Sequence, residues 1–259
     1  MVRVLSMLSF AALAGACAPA TFGWVGAGPD EAAGLARYRA AFVAAAGTRF
    51  TGTLPRGAVL DAARRARVLW LGDHHPSEAL HDLQRALVSD LLAAGARPVL
   101  CLEAIGTADE RAVARFLAGE SSLAELCRVV RDRWPESWLD DDQVDAAFYR
   151  DLLIMARDHG LPVRALEPTP RLPLAARDAV IAAAVRRTAA EFPDRLLIAV
   201  VGQAHLLGDG ALSVRTGLPD LLVGGEPTPP LATAAVPPAA AGDFVRSDAG
   251  LLWFAARLR

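Results

Sequence analysis

The chain has 259 residues, 53% of them hydrophobic, with 27 basic against 29 acidic side chains and a net charge of −2. That length is enough to bury one sizeable core and too short for two complete domains. Every basic residue is an arginine, spread along helical stretches opposite acids, so there is no basic footprint and nucleic acid is not expected as a partner.

The chain begins MVRVLSMLSFAALAGACAPA, in which Arg3 precedes an apolar run from Val4 to Ala16 that is too short to span a bilayer as a helix. Residues 1–16 therefore read as an export signal. Ala14, Gly15 and Ala16 before Cys17 suit an ordinary signal-peptidase site. They also suit a lipoprotein box, in which Cys17 is lipidated and becomes the first mature residue. Such a box usually carries Leu three places before the cysteine, where this chain has Ala14. The expectation is an exported protein of the cell envelope, lipid-anchored to a bacterial membrane and otherwise periplasmic or secreted. An uncleaved anchor is the remaining alternative. Export permits disulfides, but Cys101 lies inside the apolar run RPVLCLEAI, where a buried free thiol is expected.

After a Gly/Pro linker, residues 30–46 carry Ala, Leu, Tyr and Phe at helical spacing, followed by GTRFTGTLPRG and a short helix to Arg65. Four short apolar runs then have the character of buried parallel strands: 67–72, 98–103, 162–167 and 195–202. Helical stretches alternate with them. Residues 76–95 place Leu80, Leu83, Leu87 and Leu91 on one stripe, 107–130 holds one or two helices broken near GESS, and 142–160 ends in the helix stop DHG. The pattern predicts an α/β fold with a mainly parallel central sheet flanked by helices, in one domain over 30–223. Residues 224–242 are rich in Pro and Ala and read as a loop or linker. Residues 243–259 contain a strand-like stretch ending in Trp253 and Phe254, which predicts an added edge strand.

In such a sheet, ligands bind at the carboxyl ends of the strands. The first run ends in Asp73, His74 and His75, the second in Glu103, the third in Glu167, and the fourth leads into VGQAH and His205. Three of the chain's five histidines fall between residues 74 and 81. Pro76 suits the first turn of a helix, which makes His75 the expected N-cap, in a field that favours neutral imidazole. His81 and Gln84 share a helix face. Three chemistries remain open for this set. Asp73, His75, Glu103 and His205 are suitable ligands for a divalent metal such as zinc that activates water. The same four can perform acid/base or nucleophilic hydrolysis without metal. His74 or a tyrosine can ligate haem iron. Ordinary roles compete with these: helix capping for His75, Glu103 and Glu167, a solvated or packed face for His81 and Gln84, and a dipole partner for His159. Tyr38 and Tyr149 can be core-edge residues, Tyr149 following the loop RWPESWLDDDQVD.

The runs LGDHHPSEALHDLQRALV, VLCLEAI, FYRDLLIMARDHGLPVRAL and VVGQAHLLG together resemble the ChaN-like family of haem-binding lipoproteins, in the superfamily that includes Tiki and TraB-type proteins and resembles erythromycin esterase. The resemblance spans roughly residues 60–215. Its first motif falls on Gly72, Asp73 and His75, with Asp in place of the usual Glu. The helix pair falls on His81 and Gln84, the strand-end acid on Glu103, and the late motif on Gly202 and His205. The resemblance implies an exported, often lipid-anchored protein of haem or iron uptake, holding haem between the subunits of a homodimer with tyrosine as a type of iron ligand. No tyrosine stands in the matched motifs. Tyr149 is the nearest, and His74 fills the variable position of the first motif. On this reading Asp73, His75, Glu103 and His205 form the polar centre, lined by His74, His81, Gln84 and Tyr149. Relatives in the superfamily imply the competing reading, a metal-dependent or metal-free hydrolase.

Overall fold

A computed structural model of the chain describes Ala33, Ala40 and residues 49–75, 77–134, 137–141, 144–206, 211–225, 240, 242–250 and 252–254. The export signal, Cys17, Tyr38, Pro76 and most of the 224–242 segment lie outside the described residues. Among the described residues, no helix is long and apolar enough to cross a membrane.

The elements are β1 (Phe50–Leu54), α1 (Arg56–Arg65), β2 (Val68–Asp73), α2 (Glu78–Ala93), β3 (Val99–Gly106), α3 (Glu110–Leu117), α4 (Leu123–Arg133), α5 (Ala146–Asp158), β4 (Val163–Glu167), α6 (Leu174–Glu191), β5 (Leu197–Gly202), α7 (Leu212–Thr216), β6 (Asp220–Gly224), β7 (Phe244–Ser247) and β8 (Leu252–Phe254). One sheet contains all eight strands in the order β1-β7-β8-β6-β2-β5-β3-β4. From β8 to β4 every neighbouring pair is parallel, and the antiparallel pairs are β1 with β7 and β7 with β8. The fold is α/β with a mainly parallel sheet.

The four apolar runs are continuous because both faces of the sheet are covered. Alternation survives inside them. Leu69 and Leu71 of β2, Leu100 and Leu102 of β3, and Ile198 and Val200 of β5 join one core with Leu80, Leu83, Leu87 and Leu91 of α2 and Leu152 of α5. Val68, Trp70, Val99, Cys101, Leu197, Ala199 and Val201 point the other way and pack on Ile181 and Val185 of α6. The leucine stripe of α2 is therefore its buried face. Cys101 and Cys127 are both buried and free, and burial pushes the Cys101 thiol up to about 12.

Three expectations change. The N-cap of α2 is Ser77, whose Oγ accepts from the Leu80 N–H at 3.3 Å, so His75 is not the cap. The segment GTRFTGTLPRG contains a strand, β1. The C-terminal stretch forms two strands, and Trp253 lies in β8 between β7 and β6, not at an edge; both β7 and β8 carry fully buried aromatics, Phe244 and Trp253. The edge is taken by β1, whose alternating half-buried and exposed residues suit a strand with one open side. That weak pattern, with two Thr and a Gly in five residues, is why β1 does not stand out in the sequence.

At the carboxyl end of β2 the backbone is crowded. A Cβ on Gly72 would lie 2.9 Å from Cβ of Gln203 and 3.3 Å from the Val223 carbonyl oxygen, on two different strands' exits. Gly72→Ala is expected to cost about 1–3 kcal/mol through overpacking. Urea unfolding with a lowered midpoint and unchanged slope checks this, and a wild-type midpoint overturns it.

Candidate functional site

The ends of β2, β4 and β5 and the middle of β3 bring polar side chains to one edge of the sheet; β3 runs on to Gly106, so Glu103 does not end its strand as the sequence suggested. Asp73 closes β2 with its side chain fully buried. Its Oδ1 lies 2.8 Å from His81 Nε2, and its Oδ2 accepts the Tyr149 hydroxyl at 2.5 Å and faces His75 Nδ1 at 3.1 Å. Burial alone raises a carboxyl's pKa, but the His75 and His81 imidazoles beside Asp73 outweigh it and hold the group far below the usual carboxylate range. Tyr149 moves the other way: burial, then the charge and hydrogen bond of Asp73, push its phenol well above its ordinary value.

Because ionised Asp73 only accepts, His75 must carry its proton on Nδ1. The Tyr149 hydroxyl, whose own proton is given to Asp73, stands 3.2 Å from the same nitrogen. No hydrogen bond to Nε2 of His75 is found among the described residues, so in the neutral ring that nitrogen carries the unpaired lone pair. The His75 ring packs on Trp138 with centroids 3.9 Å apart, and its side chain is 24% exposed, whereas the His81 and Asp73 side chains show no exposed surface. His74, next to it, is half-buried.

His81 and Gln84 do share a face of α2, but it is buried. Gln84 donates to the Gly72 carbonyl at 3.0 Å, closing the end of β2. His81 places Nδ1 2.9 Å from Oδ2 of Asp145, the N-cap of α5, whose Oδ1 accepts from the Phe148 N–H.

A second buried group stands across Gly202. The pairing of β3 with β5 stops at Leu102 and Val200, and the register of β3 against β4 shifts between Leu102 and Gly106. Glu103 sits at this irregularity, and its Oε2 accepts the Gly202 N–H at 2.8 Å, replacing a lost ladder bond. Glu103 Oε1 lies 3.3 Å from His205 Nε2, and His205 Nδ1 lies 2.5 Å from Asp178 Oδ1 on α6. Burial disfavours a charged His205, but Glu103 and Asp178 on either side outweigh it and raise the imidazole to about 9. Glu103 is held well below its usual range, because His205, then Arg177 and the Gly202 N–H, outweigh burial. Glu167 caps no helix. It is buried against Arg177 at 3.2 Å and Arg171 at 3.3 Å. His159 is the C-cap of α5.

The two groups meet at Gly202. A Cβ there would lie 3.5 Å from His205 Cδ2, 3.7 Å from Glu103 Oε2 and 3.8 Å from His75 Cε1. Asp73, His75, Glu103 and His205 are thus neighbours in space, with Tyr149 and His81 behind them. Their disposition does not suit the metal reading. Both oxygens of Asp73 already hold protonated groups, and among the described residues no three or more His, Cys, Asp or Glu are arranged to hold a metal ion.

The sequence reading missed Asp145, Asp178 and Trp138. Asp145 had a usable signal, an acid just before the apolar face of a helix. Asp178 had a fainter one, the charged pair Arg177–Asp178 inside the Ala-rich run AARDAVIAAAV.

An α/β domain with carboxylates and imidazoles gathered at the carboxyl ends of its strands defines the class of protein. Residues 59–173 match the family described as haem-binding uptake, Tiki superfamily, ChaN. The match stops before Gly202 and His205. No curated protein matches the chain. Among solved structures, the type III effector HopBA1 is similar at 15% identity, covering 78% of this chain and 95% of that one, with a TM-score of 0.52. ChaN of Campylobacter jejuni, described with cofacial haem binding, is similar at 9% identity over 66% of this chain and 86% of that one, TM-score 0.45. RRSP, a MARTX toxin effector domain from Vibrio vulnificus CMCP6, is similar at 16% identity over 88% of this chain and 48% of that one, TM-score 0.47. At these identities the HopBA1 likeness speaks for the fold.

The buried His205 yields a pH prediction. A histidine whose folded pKa is raised contributes stability fully present below about 6.5 and lost as pH rises through about 9. Wild-type stability is expected to fall across that window by up to about 1.4 kcal/mol per pH unit for this proton. His205→Gln removes the counter-charge between Glu103 and Asp178 and is expected to cost about 3–5 kcal/mol at neutral pH while flattening the slope. Denaturant unfolding from pH 6 to 10 measures both, and an unchanged slope in the variant would contradict the assignment.

Proposed function

We propose that the protein is an exported, lipid-anchored haem-binding protein of haem or iron uptake, with its ligand at the carboxyl edge of the sheet and His75 as the residue that would hold the iron. The observation that carries this reading is the state of His75. Its Nδ1 is tied to Asp73 at 3.1 Å, its Nε2 has no hydrogen-bond partner among the described residues, and its side chain is partly exposed. A neutral imidazole whose second nitrogen donates to a carboxylate is the usual form of an iron-ligating histidine, because the carboxylate fixes the tautomer and raises the ligand's basicity. The residues present therefore fit the group. Haem, when bound, supplies a Lewis-acidic iron and a broad apolar plane. Trp138, itself buried, backs the His75 ring, and half-buried His74 is the second candidate ligand. Tyr149 fits the role less well, because its hydroxyl is buried and spent on Asp73, and loss of its proton is disfavoured. In this reading Tyr149 supports His75, anchoring is through Cys17, and the ligand is shared by two copies of the chain.

A second reading keeps some weight because Asp73 and His75 also have the arrangement of a general base, with protonated His205 near the same Gly202. That reading is hydrolysis by the chain's own residues.

Haemin titration of the chain begun at Cys17 tests the first reading. Saturable binding with a Soret shift is expected, at one haem per chain or fewer, and weakened about 100-fold in His75→Ala. Wild-type spectra and affinity in both His75→Ala and His74→Ala would sink the ligand assignment. Absence of saturable binding, with ester or peptide hydrolysis that His205→Gln abolishes, would transfer the function to the second reading.

A further inference from the structure

His81 lies on α2 with no exposed side-chain surface, face to face with Phe148 at 4.0 Å and 2°. The groups around it come from two other elements: Asp73 from β2, and Asp145 and Tyr149 from α5. Each ring nitrogen is within 2.9 Å of a carboxylate oxygen. A neutral imidazole has one N–H and one lone pair, so one of these contacts would set acceptor against acceptor at a ring with no exposed side-chain surface. Only the imidazolium, with two N–H donors, satisfies both carboxylates.

Two routes then run from His81 to His75. Through Asp73, His81 fixes the carboxylate that receives the His75 Nδ1–H. Through Asp145, it holds a residue whose backbone N–H donates to the His75 carbonyl at 3.0 Å. Ring and main chain of His75 are both referred to the same buried imidazole. We infer that His81 is a positioning residue: held between Asp73 and Asp145, it keeps Asp73 oriented toward Nδ1 of His75 and so keeps Nε2 of His75 as the nitrogen presented to a ligand. Without His81 the Asp73 carboxylate loses the donor on Oδ1, is free to turn, and no longer selects the His75 tautomer. Phe148 serves the same end by fixing the plane of the His81 ring. The inference rests on the reading that His75 Nε2 is the working atom, but the tautomer itself is measured without any ligand.

Long-range 1H–15N spectra of the ligand-free protein at neutral pH provide the test. In the wild type, both nitrogens of His81 are expected to be protonated and His75 to carry its proton on Nδ1 alone. In His81→Gln, with fold checked by circular dichroism and amide dispersion, His75 is expected to redistribute toward the Nε2–H form and haemin affinity to fall about 10–100-fold. A His81 with one bare nitrogen in the wild type overturns the inference, as does a His75 that keeps its Nδ1–H form in folded His81→Gln. Should His81→Gln not fold, Asp145→Asn replaces it, with a shift of His75 in the same direction expected and an unchanged His75 overturning the inference. If His75→Ala binds haemin like the wild type, the haem reading fails alone, because the tautomer spectra still decide the role of His81.

Discussion

A carboxylate removed from water at the end of a strand must be given donors, and at Asp73 they come from three places. His81 reaches it from α2, Tyr149 from α5, and His75 from the turn that leaves β2. An isolated buried carboxylate costs so much that it would take up a proton. The arrangement of α2 and α5 over the end of β2 is thus tied to keeping Asp73 ionised. The crowding at Gly72 belongs to the same constraint, since Gln84 on α2 takes the Gly72 carbonyl and the Gln203 side chain packs where a Cβ would be.

Glu103 answers a different local problem with the same chemistry. Where β3 leaves the register of its neighbours, the Gly202 N–H loses a strand partner, and the Glu103 carboxylate accepts it. An ionised acid at that point needs a counter-charge, and His205 supplies it, itself held from behind by Asp178. Departure from regular pairing and the placing of a buried acid are one event here.

The sequence announced what repeats or clusters. Continuous apolar runs with β-branched and aliphatic residues gave β2 to β5, and the leucine stripe gave α2. The site's polar centre was legible because Asp73, His75, Glu103 and the segment to His205 all fall at ends of such runs. Three things were not legible. Ser77 capped α2 in place of His75, since the turn uses two more residues than the Pro76 signal suggested. The strands β1, β7 and β8 pair only with each other and with β6, a non-local arrangement that no window of a few residues encodes. Asp145 and Asp178 come from 64 and 27 residues away to meet His81 and His205. Sequence spacing carries no trace of such a meeting.

The two halves of the site share one plan. His81 lies between Asp73 and Asp145, and His205 lies between Glu103 and Asp178. Each is an imidazolium between two carboxylates, each joins a strand to a helix, and each has its pKa raised as its carboxylates outweigh burial. Both rings are therefore committed: with two protons given to two acceptors, neither has a lone pair to offer a metal, an iron or a substrate proton. His75 differs in a single respect, having a carboxylate on one nitrogen only. A neutral imidazole satisfied on one side has a lone pair on the other, and the His75 ring is the partly exposed one of the three, packed on Trp138. The number of acids per histidine is what sets His75 apart from His81 and His205. The short Asp at 73 serves this economy, because its partners must come to it, and His75, His81 and Tyr149 all reach the same carboxylate without leaving an oxygen to spare.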